Sequence, residues 1–181
     1  MRAAPGLAFD LKRAMRFSFG PIQGFAYPMN VSGEFTVNAP RDVVYKTLRD
    51  ASSFVRFVDG VHDLKELDPT HYEAVFETKV AYLKFKFAVT VEVTRADEPS
   101  EIEAKIEGTP LGVVGRLTAK SITKLEDAGN ETKVTYSVES TLAGKLGSIG
   151  QPVLRAKAKD MEKQFAARLR AAFAEGHPEA Q

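Results

Sequence analysis

From residue 83 to residue 93 every second side chain is apolar. Leu83, Phe85, Phe87, Val89, Val91 and Val93 fall on one face, and Lys84, Lys86, Thr90 and Glu92 on the other. Successive strand residues point to opposite sides, so this segment suits a sheet with one face on a core and the other in water. The same period recurs along the chain. Residues 31–37, 61–67, 102–107 and 113–125 read as further strands. Tyr72, Ala74, Phe76, Thr78 and Val80 form the inner face of another, and Val134, Tyr136 and Val138 line the last. The turn signals between them are short: Asp59-Gly60, Asp68-Pro69, Asp97-Glu98-Pro99-Ser100, Gly108 to Pro110, and Asp127-Ala128-Gly129-Asn130. The inner face moves from even to odd numbers between Val80 and Leu83, which a tight hairpin at Ala81-Tyr82 produces. Seven strands on short turns predict a mainly antiparallel meander.

Two helical regions interrupt or close this run. Asn38 is positioned to cap a helix whose first turn holds Pro40 and whose stripe is Val44, Tyr45 and Leu48. Residues 50–53 then break it and cap a second short helix carrying Phe54, Phe57 and Val58. The last element is expected to begin near Gly144. Leu146, Ile149, Val153, Met161, Phe165, Leu169 and Phe173 recur there at helical spacing, Pro152 marks a kink or restart, and Gly176 and Pro178 terminate the helix. The simplest assembly is one sheet curled around one long helix, an α+β domain.

Composition narrows the function classes. The chain has 181 residues, enough for one domain with an ordinary core, and a formal net charge of +1 argues against a nucleic-acid binder. It has no cysteine, which removes disulfides, thiolate metal sites and cysteine nucleophiles, and fits a reducing, cytoplasmic setting. No apolar run approaches the roughly 18 residues that cross a bilayer, so any membrane contact would be peripheral.

Residues 1–28 differ from the rest. They hold Phe9, Phe17, Phe19, Phe25 and Tyr27, four basic groups and Asp10 as the single acid, with glycines and prolines that break a long helix. Three readings stand open: a start at Met29 with the preceding residues a gene-calling artefact, a disordered arm, or a basic-aromatic arm that touches a membrane or a cavity mouth. The expected organisation is therefore an extension over 1–28, a domain over 29–176 and a tail over 177–181.

Strand, two short helices, six strands and a long helix is the order of the helix-grip fold of the START-related, birch-pollen-allergen-like superfamily (SRPBCC). Within it the chain resembles the CoxG family of carbon monoxide dehydrogenase. The carrying residues are VSGEFTVNAPRDVVYKTLRD (31–50), FVDGVHDLKEL (57–67) and LAGKLGSIGQPVL (142–154). The last is the most specific: the family's Gly-Lys-Leu-x-x-x-Gly-Gln stretch is here Gly144-Lys145-Leu146 and Gly150-Gln151. The chain departs from the family at Asp59, where many relatives have Pro, at Ala81-Tyr82, where many have Gly-Pro, and at Pro152. It ends Gly-His-Pro-Glu-Ala-Gln, where some relatives have an apolar anchor. The resemblance implies association with molybdenum hydroxylases, recruitment to membranes and handling of quinone-like molecules.

The fold so implied makes a hollow between sheet and helix the candidate site. Its walls would be Phe54 and Phe57 from the short helices, and Tyr72, Phe76, Phe85, Phe87, Ile106, Leu117 and Tyr136 from strands. Val153, Met161 and Phe165 would close it from the long helix. The same side chains would serve a filled core, since burial stabilises each by roughly 1.5–3 kcal/mol whatever they meet. Hydroxyls from Tyr72, Thr78, Ser121 and Tyr136 suit a ligand with a large apolar body and one or two carbonyls or hydroxyls. Asp59, His62 and Asp63 make a weak metal signal without a fourth ligand, and a polar turn is the expected role. His71 is expected to face water, and His177 lies in the tail. Gly144, Gly147 and Gly150 fail the Walker order and are expected to let the helix entry approach the sheet. The basic residues of the long helix read as a solvated face, or as a docking face for an anionic membrane or an acidic partner.

The resulting expectation is non-catalytic binding of a quinone-like or lipid-like ligand by an accessory protein, without a cofactor or metal. It could partner a molybdenum hydroxylase, with contact at a membrane surface. Two alternatives stay open. One is a cyclase or hydratase with Tyr72, Tyr136 and His62 as acid or base candidates. The other is an interaction module with a filled core.

Overall fold

A computed structural model describes residues 26–174. Seven strands form one antiparallel sheet in the order β1-β7-β6-β5-β4-β3-β2. They are β1 (Tyr27–Val37), β2 (Val61–Asp68), β3 (His71–Val80), β4 (Leu83–Asp97), β5 (Glu101–Pro110), β6 (Gly115–Ala128) and β7 (Glu131–Gly144). From β2 to β7 each strand pairs with its successor, as short turns require. β1 alone lies out of order, beside β7, with α1 (Arg41–Arg49), α2 (Ala51–Phe54) and a 3-10 turn (Val55–Phe57) carrying the chain to the far edge. A second 3-10 turn (Gly147–Ile149) leads into the long helix α3 (Gln151–Ala174). This is the helix-grip order that the pattern of periods predicts.

The tight hairpin is present: Val80 pairs with Leu83, and Ala81 takes a left-handed φ of 55°. Asp50 caps α2, its Oδ1 accepting from the Ser53 amide at 2.7 Å.

Three boundaries differ from expectation. Asn38 does not cap α1; Pro40 holds the cap position, extended at φ −61° and ψ 148°, and its carbonyl accepts from the Val43 and Val44 amides. A proline pushes the residue before it towards extended backbone, so the helix cannot reach back past Pro40. Gly108 to Pro110 belongs to β5 and the connection lies at 111–114. Gly108 is buried there, and a Cβ would press on Leu117 at 3.3 Å, so this glycine serves a close approach rather than a turn. α3 begins at Gln151 instead of near Gly144. Gly144 and Gly150 have φ of 70° and 98°, which a right-handed helix cannot propagate. Pro152 therefore sits in the first turn, where its missing N–H costs nothing, and starts the helix rather than kinking it.

β1 begins at Tyr27, which pairs with Leu142, and Ser140 Oγ donates to the Met29 carbonyl at 3.0 Å. The expectations for residues 1–25, and for termination of α3 at Gly176 and Pro178, fall outside the described residues.

The inward faces of the strands and helices bury two separate apolar clusters. One gathers Phe35, Val37, Val44, Leu48, Phe57, Leu125, Val134, Ala166 and Leu169 under α1 and the C-terminal half of α3. The other gathers Val80, Phe85, Phe87, Leu142, Leu146 and Leu154 at the opposite end, under the start of α3.

Candidate functional site

Between the two clusters the concave face of the sheet is not sealed. Val89 and Val91 of β4, Ile106 of β5, Ala119 and Ser121 of β6 and Val138 of β7 all point inward yet are only half-buried. These strands are internal to the sheet, so neighbours cover their backbone on both sides. Their exposed surface therefore opens on the concave side. The cause is the seat of α3. It approaches β1, the 3-10 turn at 55–57 and β3 most closely.

The twelve expected wall residues divide by this geometry. Phe165 of α3 is half-buried and central to an aromatic group: its ring centroid is 5.5 Å from Phe54, 6.1 Å from Phe57 and 6.3 Å from Phe35. Phe57 is buried, whereas Phe54 is 39% exposed, so Phe54 edges the group towards solvent. Phe76 stacks on Phe87 at 6.1 Å, and Phe85 joins them, in the second cluster with Leu117 at its margin. Ile106, Met161 and Tyr136 are half-buried along the open middle. Val153 is 38% exposed, and Leu154 occupies the buried place instead, because a helix starting at Gln151 turns 154, 158, 161, 165 and 169 inward. Tyr72 is buried at the rim. Its hydroxyl donates to the Pro69 carbonyl at 2.6 Å and accepts from Arg49 Nη1 at 3.0 Å, which ties α1 to the β2–β3 turn.

One polar feature interrupts the apolar surface. The buried hydroxyls of Thr132 and Ser140 are satisfied, by the Ala39 carbonyl at 2.7 Å and the Met29 carbonyl at 3.0 Å. The buried hydroxyl of Tyr136 has no hydrogen-bond partner among the described residues. It lies over Gly33, where it meets the carboxylate of Glu162 from α3. A Cβ at Gly33 would touch the Tyr136 hydroxyl and stand 2.7 Å from Glu162 Oε1. Glycine at 33 thus makes the room in which phenol and carboxylate converge. The carboxylate's pull on the phenol proton comes before its charge as a cause of the shift in the phenol's pKa, although the pair falls short of ordinary hydrogen-bond geometry. Burial first, and then Glu162, hold the phenol well above its ordinary pKa, so it stays protonated and can donate. Glu162 escapes notice in the sequence because it sits among Lys159, Asp160 and Lys163 and reads as part of a wet face. The helical phase that places Phe165 inward also brings residue 162 inward, and that was the available signal.

The loop after the 3-10 turn is a polar clasp. Gly60 has φ 82°, and a Cβ there would collide with the Glu77 carbonyl; the Glu77 amide donates to the Gly60 carbonyl at 2.8 Å. Asp59 pairs with Arg168 of α3 at 3.2 Å. His62 lies between Asp63 at 2.9 Å and Glu77 at 3.1 Å, and these hydrogen bonds, Glu77 foremost, raise its pKa. Asp59 and His62 are thus engaged by separate partners, and among the described residues no group of three acidic or histidine side chains is placed to hold a metal. His71 is exposed beside Asp68 at 2.9 Å. Gly144 is required by close approach, since a Cβ would meet the Val114 carbonyl at 2.6 Å. Two shallow depressions lie elsewhere on the surface. One of about 490 Å³ is on the outer face, edged by Lys105, Glu107, Lys120 and Glu139, and another of about 370 Å³ lies beside Arg49 and Tyr72.

Comparison with known proteins bears on this architecture. The model of the carbon monoxide dehydrogenase CoxG family matches residues 33–174. No curated protein matches the chain. Among solved structures, a conserved protein from Geobacillus kaustophilus is 23% identical with a TM-score of 0.75, covering 82% of this chain and 97% of that one. A START superfamily protein from Mycobacterium smegmatis is 10% identical with a TM-score of 0.60, covering 81% and 97%. The Zhui aromatase/cyclase from Streptomyces sp. R1128 is 13% identical with a TM-score of 0.59, covering 80% and 93%. At these identities the likeness is one of fold.

Proposed function

The chain belongs to the carbon monoxide dehydrogenase CoxG family, and from that premise we propose that it is a non-catalytic carrier. It holds a quinone-like or lipid-like molecule between the sheet and α3 and presents it as an accessory of a molybdenum hydroxylase. The observation that carries this reading is the half-buried inner face of β4 to β7 between two well-buried clusters. A filled core would bury the middle of its sheet most deeply. Here the ends are dry and the middle is open, which is the distribution that leaves room for an apolar body.

The polar end of such a ligand has a matching site. Tyr136 donates, the Glu162 carboxylate accepts, and the remaining inner surface is mostly aliphatic and aromatic, with the Ser121 hydroxyl among it. A hydroxyl satisfies both groups and a carbonyl satisfies the phenol. Glu162 is half-buried, so a ligand's polar end at this pair would lie near solvent. The rival reading, an enzyme in which Tyr136 transfers a proton, uses the same pair. Turnover that is lost on Tyr136→Phe while binding is kept would favour it.

The test is solvent extraction of the gently purified protein, with mass spectrometry of the extract and of the intact complex. A stoichiometric quinone or lipid is the expected result. A protein that is empty and also fails to take up added naphthoquinone or phospholipid would overturn the carrier reading.

A further inference from the structure

Three connections lie together at the end of the molecule where β1 starts and α3 begins. They are the β3–β4 hairpin, the β5–β6 connection and the stretch from β7 into α3. The Leu111 amide donates to the Lys86 carbonyl at 2.7 Å, and the Lys145 amide to the Val114 carbonyl at 3.0 Å, which holds the three side by side. Their tips expose apolar side chains: Tyr82 at 89%, Val114 at 77%, and Leu83, Leu111 and Val153 between 38% and 49%. Apolar groups gathered at one end mark a contact surface rather than scattered exposure.

The chain enters the fold at this same end. Tyr27 pairs with Leu142, near the end of β7, and Met29 packs against the second cluster, as do Val113 and Ile149. Whatever precedes β1 therefore arrives beside the tip. Charge decides which part of it suits the tip. Residues 78–86, 111–118 and 143–159 together hold eight Lys and Arg and no Asp or Glu. A second copy presenting the same surface would set like charges face to face. Residues 1–16 hold four basic groups against Asp10 and would be repelled in the same way. Residues 17–25, Phe-Ser-Phe-Gly-Pro-Ile-Gln-Gly-Phe, carry no charge, and four of these nine are large and apolar. They are also long enough. Four strand spacings of about 4.8 Å separate β1 from β4, about 19 Å, whereas nine residues extend to at most about 30 Å.

We propose that residues 17–25 fold back across the ends of β7, β6 and β5 and cover this tip, with Phe17, Phe19 and Ile22 resting on Leu83, Leu111 and Val114. Removal of apolar surface from water on both sides drives the contact. The short covalent link to β1 gives the segment a high effective concentration at the tip, which a separate partner would lack. The cover needs no ligand, so it stands or falls apart from the carrier reading.

The chain contains no cysteine and no tryptophan, so both can be placed as reporters in the full-length protein. With Phe17→Cys and Leu83→Cys together, mild oxidation of dilute protein should give a disulfide within one chain. Adding Leu111→Ser and Val114→Ser, which remove the apolar seat but not the tether, should abolish it. Phe19→Trp should emit at short wavelength in the absence of lipid and at any protein concentration, and should shift to the red with Leu83→Ser and Val114→Ser. A disulfide that forms equally well without the apolar seat would overturn the proposal. A disulfide formed only between chains would overturn it too, assigning the tip to a second copy. So would tryptophan emission that is solvent-like until phospholipid vesicles are added, which would assign the segment to a lipid surface.

Discussion

Replacing Tyr136 by Phe should stabilise the protein while weakening its hold on a ligand. The hydroxyl is buried without a partner. A buried donor left unsatisfied costs about 1–3 kcal/mol, and its removal recovers that penalty. The ring is retained, so its packing beside Phe35, at 6.5 Å between centroids, and the volume it fills are unchanged. In a protein of this size each kcal/mol moves the midpoint of thermal unfolding by about 2–4 °C. Ligand-free Tyr136→Phe should therefore melt at least about 2 °C higher than the parent, with the same slope in urea. Binding should move the other way. Loss of one hydrogen bond of about 1 kcal/mol weakens affinity about five-fold. Differential scanning calorimetry of extracted protein and titration with a hydroxylated naphthoquinone measure the two effects. A lower midpoint for the variant would refute the reasoning, because it would mean that the hydroxyl already makes a stabilising bond, Glu162 being the nearest acceptor. Unchanged affinity would separate Tyr136 from the ligand site.

Other substitutions test the packing and the loops of the fold. Leu169→Ala empties a fully buried place in the first cluster and should cost about 2–5 kcal/mol in urea unfolding. Gly60→Ala should lose more than about 1 kcal/mol, since its φ of 82° and the Glu77 carbonyl both exclude a methyl group. His62 is held above its ordinary pKa by Glu77 and Asp63. Its contribution to stability should be complete below the ordinary histidine value and fade as pH rises through the raised one. An NMR titration should show that raised midpoint, and Glu77→Gln should bring it down. Gly33→Val should displace Tyr136 or Glu162 and reduce uptake of a polar-ended ligand more than of a plain hydrocarbon, as parallel binding isotherms would show.

Much of the fold was legible because local periods carry it. The alternation from Leu83 to Val93 and the parity change at Ala81-Tyr82 specify a hairpin and its register without distant information. The Gly-Lys-Leu stretch identified the family, and the family model covers residues 33–174. Boundaries were less legible where one residue type serves two purposes. Gly108 signals a turn in sequence and a close approach in space, and Pro40 fits either the cap or the first turn. Val153 and Leu154 are adjacent apolar residues, and the start of the helix at Gln151 decided between them.

The sequence by itself determined a one-faced antiparallel sheet, two short helices and a long amphipathic one, because side-chain direction along a strand or helix follows from backbone geometry alone. Tertiary structure decided the rest. It divided the buried apolar side chains into two clusters, each completed by residues of α3. It turned Glu162 from one charge among many into the neighbour of a buried phenol, and gathered three separate loops into one apolar, basic tip. These are relations between residues far apart in the chain. No local period encodes them; they exist only once the sheet has curved around the helix.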